Sequence, residues 1–260
     1  GKSVAREPLA ESLDLLATIA AKSGAYAEAA RHYEALLGLP FADQRTRLRW
    51  ETQARTALAQ IRHKLGAEAE AQTQLSTALR QLNKLIGYPA LGVEERSARL
   101  VERGKLLFFL GDAVQGAEDF RQARSLTPDR AEAYAEPMLF VVNHGYYALA
   151  LEIFRQALPR DEVRASLKLY FCLWLHELAL RQALPQDPQV LAYLDNFSSD
   201  SWQGKLARHA QGKLSFDDLL RGASDSGEQA EAYFYEALRR WRSDPKGGQQ
   251  LMRKVLDTRR

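Results

Sequence analysis

Cysteine is nearly missing from this chain, with Cys172 the only one in 260 residues. A lone thiol builds no internal disulfide framework and no cysteine-based zinc finger. Its setting, "LYFCLWL", predicts a buried, inert sulfur rather than a nucleophile. Long apolar runs are missing too. That stretch is the most hydrophobic in the chain, and Lys168 and His176 bracket it far short of the ~20 residues that a spanning helix needs. Ile, Val and Thr are scarce beside Ala, Leu, Arg, Glu and Gln. No apolar–polar alternation flanks an Asn-Gly or Asp-Gly turn, so hairpins of strands are not expected. The residues that are abundant are good helix formers, and the chain reads as all-α. With 46% hydrophobic and 27% charged residues it is too apolar to be disordered, and a net charge of +3 selects no partner by itself.

Catalytic constellations are equally absent. His32, His63, His144, His176 and His209 fall in separate helical segments, with no His-x-x-x-His pair to hold a metal. "HELALRQ" lacks the second histidine of a zincin. No Gly-x-Ser-x-Gly elbow occurs, and the opening "GKS" has no glycine loop before it. Glu94–Glu95 and Asp217–Asp218 are adjacent pairs, and neighbours on a helix point apart, so neither is an acid–base dyad. The sequence predicts no enzyme, no metal site, no cofactor and no small-molecule substrate.

What is present is repetition. In "RGKLLFFLGDAVQGAEDFRQARSLTPD", a helix carrying Leu100, Leu106, Leu107 and Leu110 stops at Gly111, and a second helix runs to Pro128. A shift of 34 residues carries Gly111 onto Gly145, Phe120 onto Phe154 and Ala123 onto Ala157. "LLATIAAKSGAYAEAARHYEALLGLP" repeats the order with Gly24, Ala29 and Tyr33. "ALAQIRHKLGAEAEAQTQLSTAL" repeats it more weakly with Gly66, Ala71, Leu75 and Ala78. A hairpin of two helices cannot bury its apolar faces alone and must stack on neighbours. Glycine permits the tight turn, alanine lets the helices approach, and the aromatic fills the gap between hairpins.

A 34-residue unit with this spacing resembles the tetratricopeptide repeat (TPR) family over residues 10 to 160. The resemblance implies a right-handed stack of about four hairpins over 1–160, turning near Gly24, Gly66, Gly111 and Gly145, with Ala29, Tyr33, Phe120, Ala123, Phe154 and Ala157 buried. Three features depart from the family pattern. Two units are lengthened around "FADQRTRLRW" and "NKLIGYPALGVEER". Gly116 stands where the family prefers Ala, and Pro137 interrupts a first helix, where a kink is expected.

Residues 161–260 form a second, more irregular helical region ending in a partial or atypical hairpin, expected to continue the superhelix. A buried helix is predicted over 161–183, then short helices near 188–195, 201–211 and 215–222, with Ser215 as a helix start. Helices at 228–242 and 248–258 follow. Leu173, Trp174, Leu175, Trp202, Gly212, Leu219, Leu220, Phe234 and Tyr235 make this half similar to NlpI-type TPR lipoproteins of bacteria. That resemblance implies an adaptor tethered at the outer membrane that brings cell-wall hydrolases to a protease. It places the protein in the periplasm, held by an anchor not in this chain. Without it a cytoplasmic location is expected.

TPR hairpins line their concave face with the first helix. The resemblance places Val101, Lys105, Phe108 and Phe109 in that groove, followed by Ala135, Leu139, Val142 and Asn143. Only Lys105 and Asn143 suit a carboxylate clamp, so a protein partner presenting an amphipathic helix or an extended hydrophobic segment is expected. The competing expectation is that the second half folds back and covers the apolar residues as core. An alternative function rests on 239–260, where eight Arg and Lys face two Asp and Trp241 is available to stack on a base. Arg45, Arg47 and Arg49 form a second basic cluster. The plain reading of the tail is a solvated basic face with Trp241 packed inward.

Overall fold

The structure, a computed structural model, describes residues 6–197 and 200–258. The opening Gly-Lys-Ser and the last two arginines of the basic tail lie outside the described residues. The described residues form fourteen helices and no strand: α1 Arg6–Lys22, α2 Tyr26–Leu37, α3 Gln44–Lys64, α4 Glu68–Ile86, α5 Val93–Phe109, α6 Ala113–Leu126, α7 Glu132–Asn143, α8 Tyr147–Ala157, α9 Ala165–Arg181, α10 Pro188–Asn196, α11 Trp202–Ala210, α12 Phe216–Arg221, α13 Ser226–Arg240 and α14 Pro245–Thr258. By its contacts the chain divides into two compact units, Gly1–Pro128 and Asp129–Arg260. The expected division at residue 160 marks something different, the point where the repeat pattern fades.

The first unit holds three hairpins, α1/α2, α3/α4 and α5/α6, with α2 packed on α3 and α4 on α5. Each hairpin turns at a glycine with positive φ: Gly24 at 82°, Gly66 at 76° and Gly111 at 89°. The same two hydrogen bonds close each turn. At the first, Gly24 N–H donates to Ala21 O and Ala25 N–H to Ala20 O. The left-handed residue satisfies carbonyls that the helix end leaves open, which glycine does without steric cost. The lengthened units are long helices rather than long loops, since α3 has 21 residues and α4 has 19. Ala29, Tyr33, Phe120 and Ala123 are buried as the repeat register requires.

Gly116 has a specific role. A Cβ there would lie 2.7 Å from a Phe108 ring carbon and 2.8 Å from Gly104 O. A Cβ on Gly104 would lie 2.6 Å from Phe120. The two glycines let α5 and α6 approach until the Phe108 and Phe120 rings stack at 5.5 Å. Arg103 fixes the same hairpin by donating from Nε and Nη2 to the fully buried Asp119 carboxylate, each at 2.7 Å. A bidentate pair of this kind keeps a buried charge compensated.

The second unit opens with α7/α8, which turn at Gly145 (φ 80°) and bury Phe154 and Ala157. Pro137 lies inside α7, and the helix runs through it as one element. Helix α9 is the hub and touches α7, α8, α10 and α11. It is apolar on most of its circumference, as a buried helix must be, and Cys172 is fully buried there with its thiol pushed up by desolvation. Hairpin turns continue past 160. Gly212 (φ 72°) turns α11 into α12, and Ala183 (φ 54°) ends α9 with the same pair of bonds, Ala183 N–H to Leu180 O and Leu184 N–H to Ala179 O. Ser215 starts α12 by accepting from Asp218 N–H at 3.1 Å. Helices α13 and α14 form the last hairpin.

Candidate interaction site

The sequence-predicted groove residues do not share one environment. On α5, Val101 and Phe108 are buried, the latter against Phe120 and Gly116 of its own hairpin. Lys105 is half-buried, while Phe109 is 43% exposed. On α7, Leu139 is 50% exposed, Asn143 is exposed, and Ala135 and Val142 are half-buried. Helices α5 and α7 thus each present one large apolar side chain to solvent in the second half, with a polar residue one turn away. That spacing, four residues, keeps Lys105 beside Phe109 and Asn143 beside Leu139 on their helix faces.

His32 and His63 face Glu28 and Glu68, and His144 Nδ1 is 2.8 Å from Phe140 O. No group of His, Cys, Asp or Glu suited to a metal occurs among the described residues, and no described helix is long and apolar enough to cross a membrane. Glu95 pairs with Arg45, and Asp218 pairs with Arg221. These acids are engaged as helix-surface ion pairs.

Two features escaped sequence reasoning. A cleft of about 510 Å³ lies at the starts of α7 and α9, lined by Asp129, Arg130, Glu132, Glu162, Arg164 and Tyr170. Both charge signs line it, and the Tyr170 hydroxyl is already donated to Glu231 at 3.0 Å. The second is a buried titratable centre where α9, α11 and α13 meet. Glu236 is fully buried, yet it accepts from Arg239 at 2.7 and 2.8 Å and from Arg240 at 2.5 Å. Burial alone would raise its pKa, but the two guanidinium groups outweigh it and hold the carboxylate below its ordinary range. His209 Nε2 lies 3.3 Å from the same carboxylate, and His209 Nδ1 is 3.0 Å from Leu214 O. Desolvation lowers the His209 pKa, and that of His176 likewise. Glu177 is pushed up to about 7, chiefly by burial, against the pull of Arg239 and with Glu236 adding to the rise. Only the helix crossing brings these groups together, since they are 27 or more residues apart in pairs between helices.

The basic regions separate sharply. Arg45, Arg47 and Arg49 pair with Glu95, Glu51 and Glu7, so that cluster is neutralised. Trp241, expected to pack inward, is 48% exposed at the end of α13. The reason is local: the turn into α14 follows it at once, so only one side of the indole meets protein, against Gly248.

The 34-residue register, the positive-φ turn glycines and the buried small–aromatic–small positions are the features on which the sequence resembles the TPR family. Solved structures similar to this chain include a tetratricopeptide repeat protein from Parabacteroides merdae, at 15% identity and TM-score 0.40, covering 96% of this chain and 93% of that one. Another is the C-terminal part of a TPR repeat-containing protein from Cytophaga hutchinsonii, at 16% identity and TM-score 0.42, covering 93% of each. No family model matches the chain. No curated protein matches it.

Proposed function

We propose that this protein is a non-catalytic scaffold that binds a protein partner through exposed apolar residues of its first helices, Phe109 on α5 in the first unit and Leu139 on α7 in the second, each a contact point of its own. The observation that carries the reading is the exposure of Phe109 and Leu139, 43% and 50%, beside the buried Phe108 and Met138 of the same helices. Large apolar side chains held open on rigid helices suit an amphipathic helix or an extended hydrophobic segment, with Lys105 and Asn143 supplying polar contacts. Val101 and Phe108 are buried and belong to the core instead. A cell-envelope setting follows only from the likeness of the second half to NlpI-type lipoproteins.

The test combines Phe109→Ser with Leu139→Ser. Affinity capture from the native source with the full chain should recover nuclease-insensitive protein partners, and the double variant should lose them. Its melting temperature should stay within about 5 °C, since surface substitutions seldom cost much stability. A large drop in melting temperature would show that these residues hold the fold together and would remove the reading.

A further inference from the structure

We propose that the last hairpin, α13/α14, carries a docking surface for single-stranded nucleic acid, centred on Trp241. The surface is separate from the residues invoked for protein binding. Three observations support it. The first is the indole: it rests on Gly248, where a Cβ would come within 3.0 Å of the ring, and it remains 48% exposed. A side chain backed by backbone on one side and open on the other is a stacking platform for a base.

The second is the state of the cations. Arg239 and Arg240 are committed to Glu236, Arg240 also lies over the Phe216 ring, and Lys254 sits over Tyr233 at 5.3 Å. Arg242, Lys246 and Arg253 are exposed and pair with no carboxylate among the described residues. Arg242 does lie within the field of Glu177. The third is placement. Arg242 adjoins Trp241, while Lys246, Gln250 and Arg253 succeed one another at helical spacing on the exposed side of α14, opposite the buried Gly248 and Leu251. Asp257 follows on that stripe, and Asp244 is occupied in capping Gly247 N–H at 2.9 Å.

An open aromatic face flanked by unneutralised cations fits phosphate charge and base stacking together. An acidic peptide would use the cations and leave the indole idle. A lipid surface would use both, and binding to vesicles separates it from nucleic acid.

The experiment is fluorescence anisotropy of a labelled oligothymidylate titrated with the full chain. Three phosphate contacts predict that affinity falls about twentyfold between about 50 and about 200 mM salt. Trp241→Ala should weaken binding about tenfold at fixed salt, as loss of one stacked base does. Replacing Arg242, Lys246 and Arg253 together by Ser should flatten the salt dependence, and circular dichroism should show both variants folded. If Trp241→Ala does not fold, the charge variant decides by its salt slope alone. Absence of oligonucleotide binding overturns the proposal. So does binding that Trp241→Ala leaves unchanged, or equal affinity for polyglutamate or for phosphatidylglycerol vesicles.

Discussion

Gly116 shows how much one side chain can decide. In an exposed helix, glycine costs about 1 kcal/mol relative to alanine, and a repeat of this type favours alanine at this position. Here the missing Cβ is what allows Phe108 to stack on Phe120 and the two helix backbones to touch at Gly104. Gly116→Ala should therefore destabilise the protein by about 1–3 kcal/mol despite the better helix propensity, because a ring and a backbone oxygen must both shift. Denaturant unfolding reads this directly as a lower midpoint with unchanged slope. A higher midpoint would mean that the crossing relaxes freely. The sequence shows Gly116 as a departure from the repeat but gives no reason for it, since the reason lies on the facing helix.

At the scale of the element, the hairpin turn is the recurring device, made by glycine in both units and by Ala183 at the end of α9. Gly111 takes the left-handed conformation at no steric cost, whereas Ala183 takes it with a Cβ, at about 1 kcal/mol. Ala183→Gly should gain up to about 1 kcal/mol, less what the freer unfolded chain takes back, while Gly111→Ala should lose about 1 kcal/mol. Thermal melts of the two variants should move in opposite directions. A shift in the same direction would contradict the shared turn geometry. The substitution at 183 also explains why the repeat is hard to follow past residue 160. The marker glycine is gone although the turn it marks is still made.

For the whole molecule, buried groups of the second unit make stability vary with pH. Glu177 titrates near 7 when folded and near 4.5 as a free side chain, so the folded state holds its proton more tightly. That contribution is full below about 4.5 and is lost as the pH rises to about 7. His176 and His209 act in the other sense. Their pKa values are lowered by burial, so the stability they contribute is present above about 6.5 and is lost on acidification. Glu177→Gln removes only the first effect. The variant should match the parent at about pH 4.5 and exceed it by on the order of 1–2 kcal/mol at about pH 8, allowing for partial exposure. Melting temperatures at the two pH values measure this, and an equal difference at both would show that Glu177 is not held protonated by the fold.

The sequence by itself determined the helical class, the turns at Gly24, Gly66, Gly111 and Gly145, and the burial of Tyr33, Phe120 and Phe154, because spacing along one chain controls which residues share a helix face. It also marked Cys172 as core from its apolar neighbours. Tertiary structure alone decided which of two adjacent residues, Phe108 and Phe109, faces inward, since that depends on the angle at which α6 crosses α5. It likewise decided that Arg45 and Arg49 are neutralised by acids from other helices, and that Trp241 stands open beside cations that are not. Periodicity fixes the faces of a helix, but only the neighbour that packs against it determines which face is covered and which charge is matched.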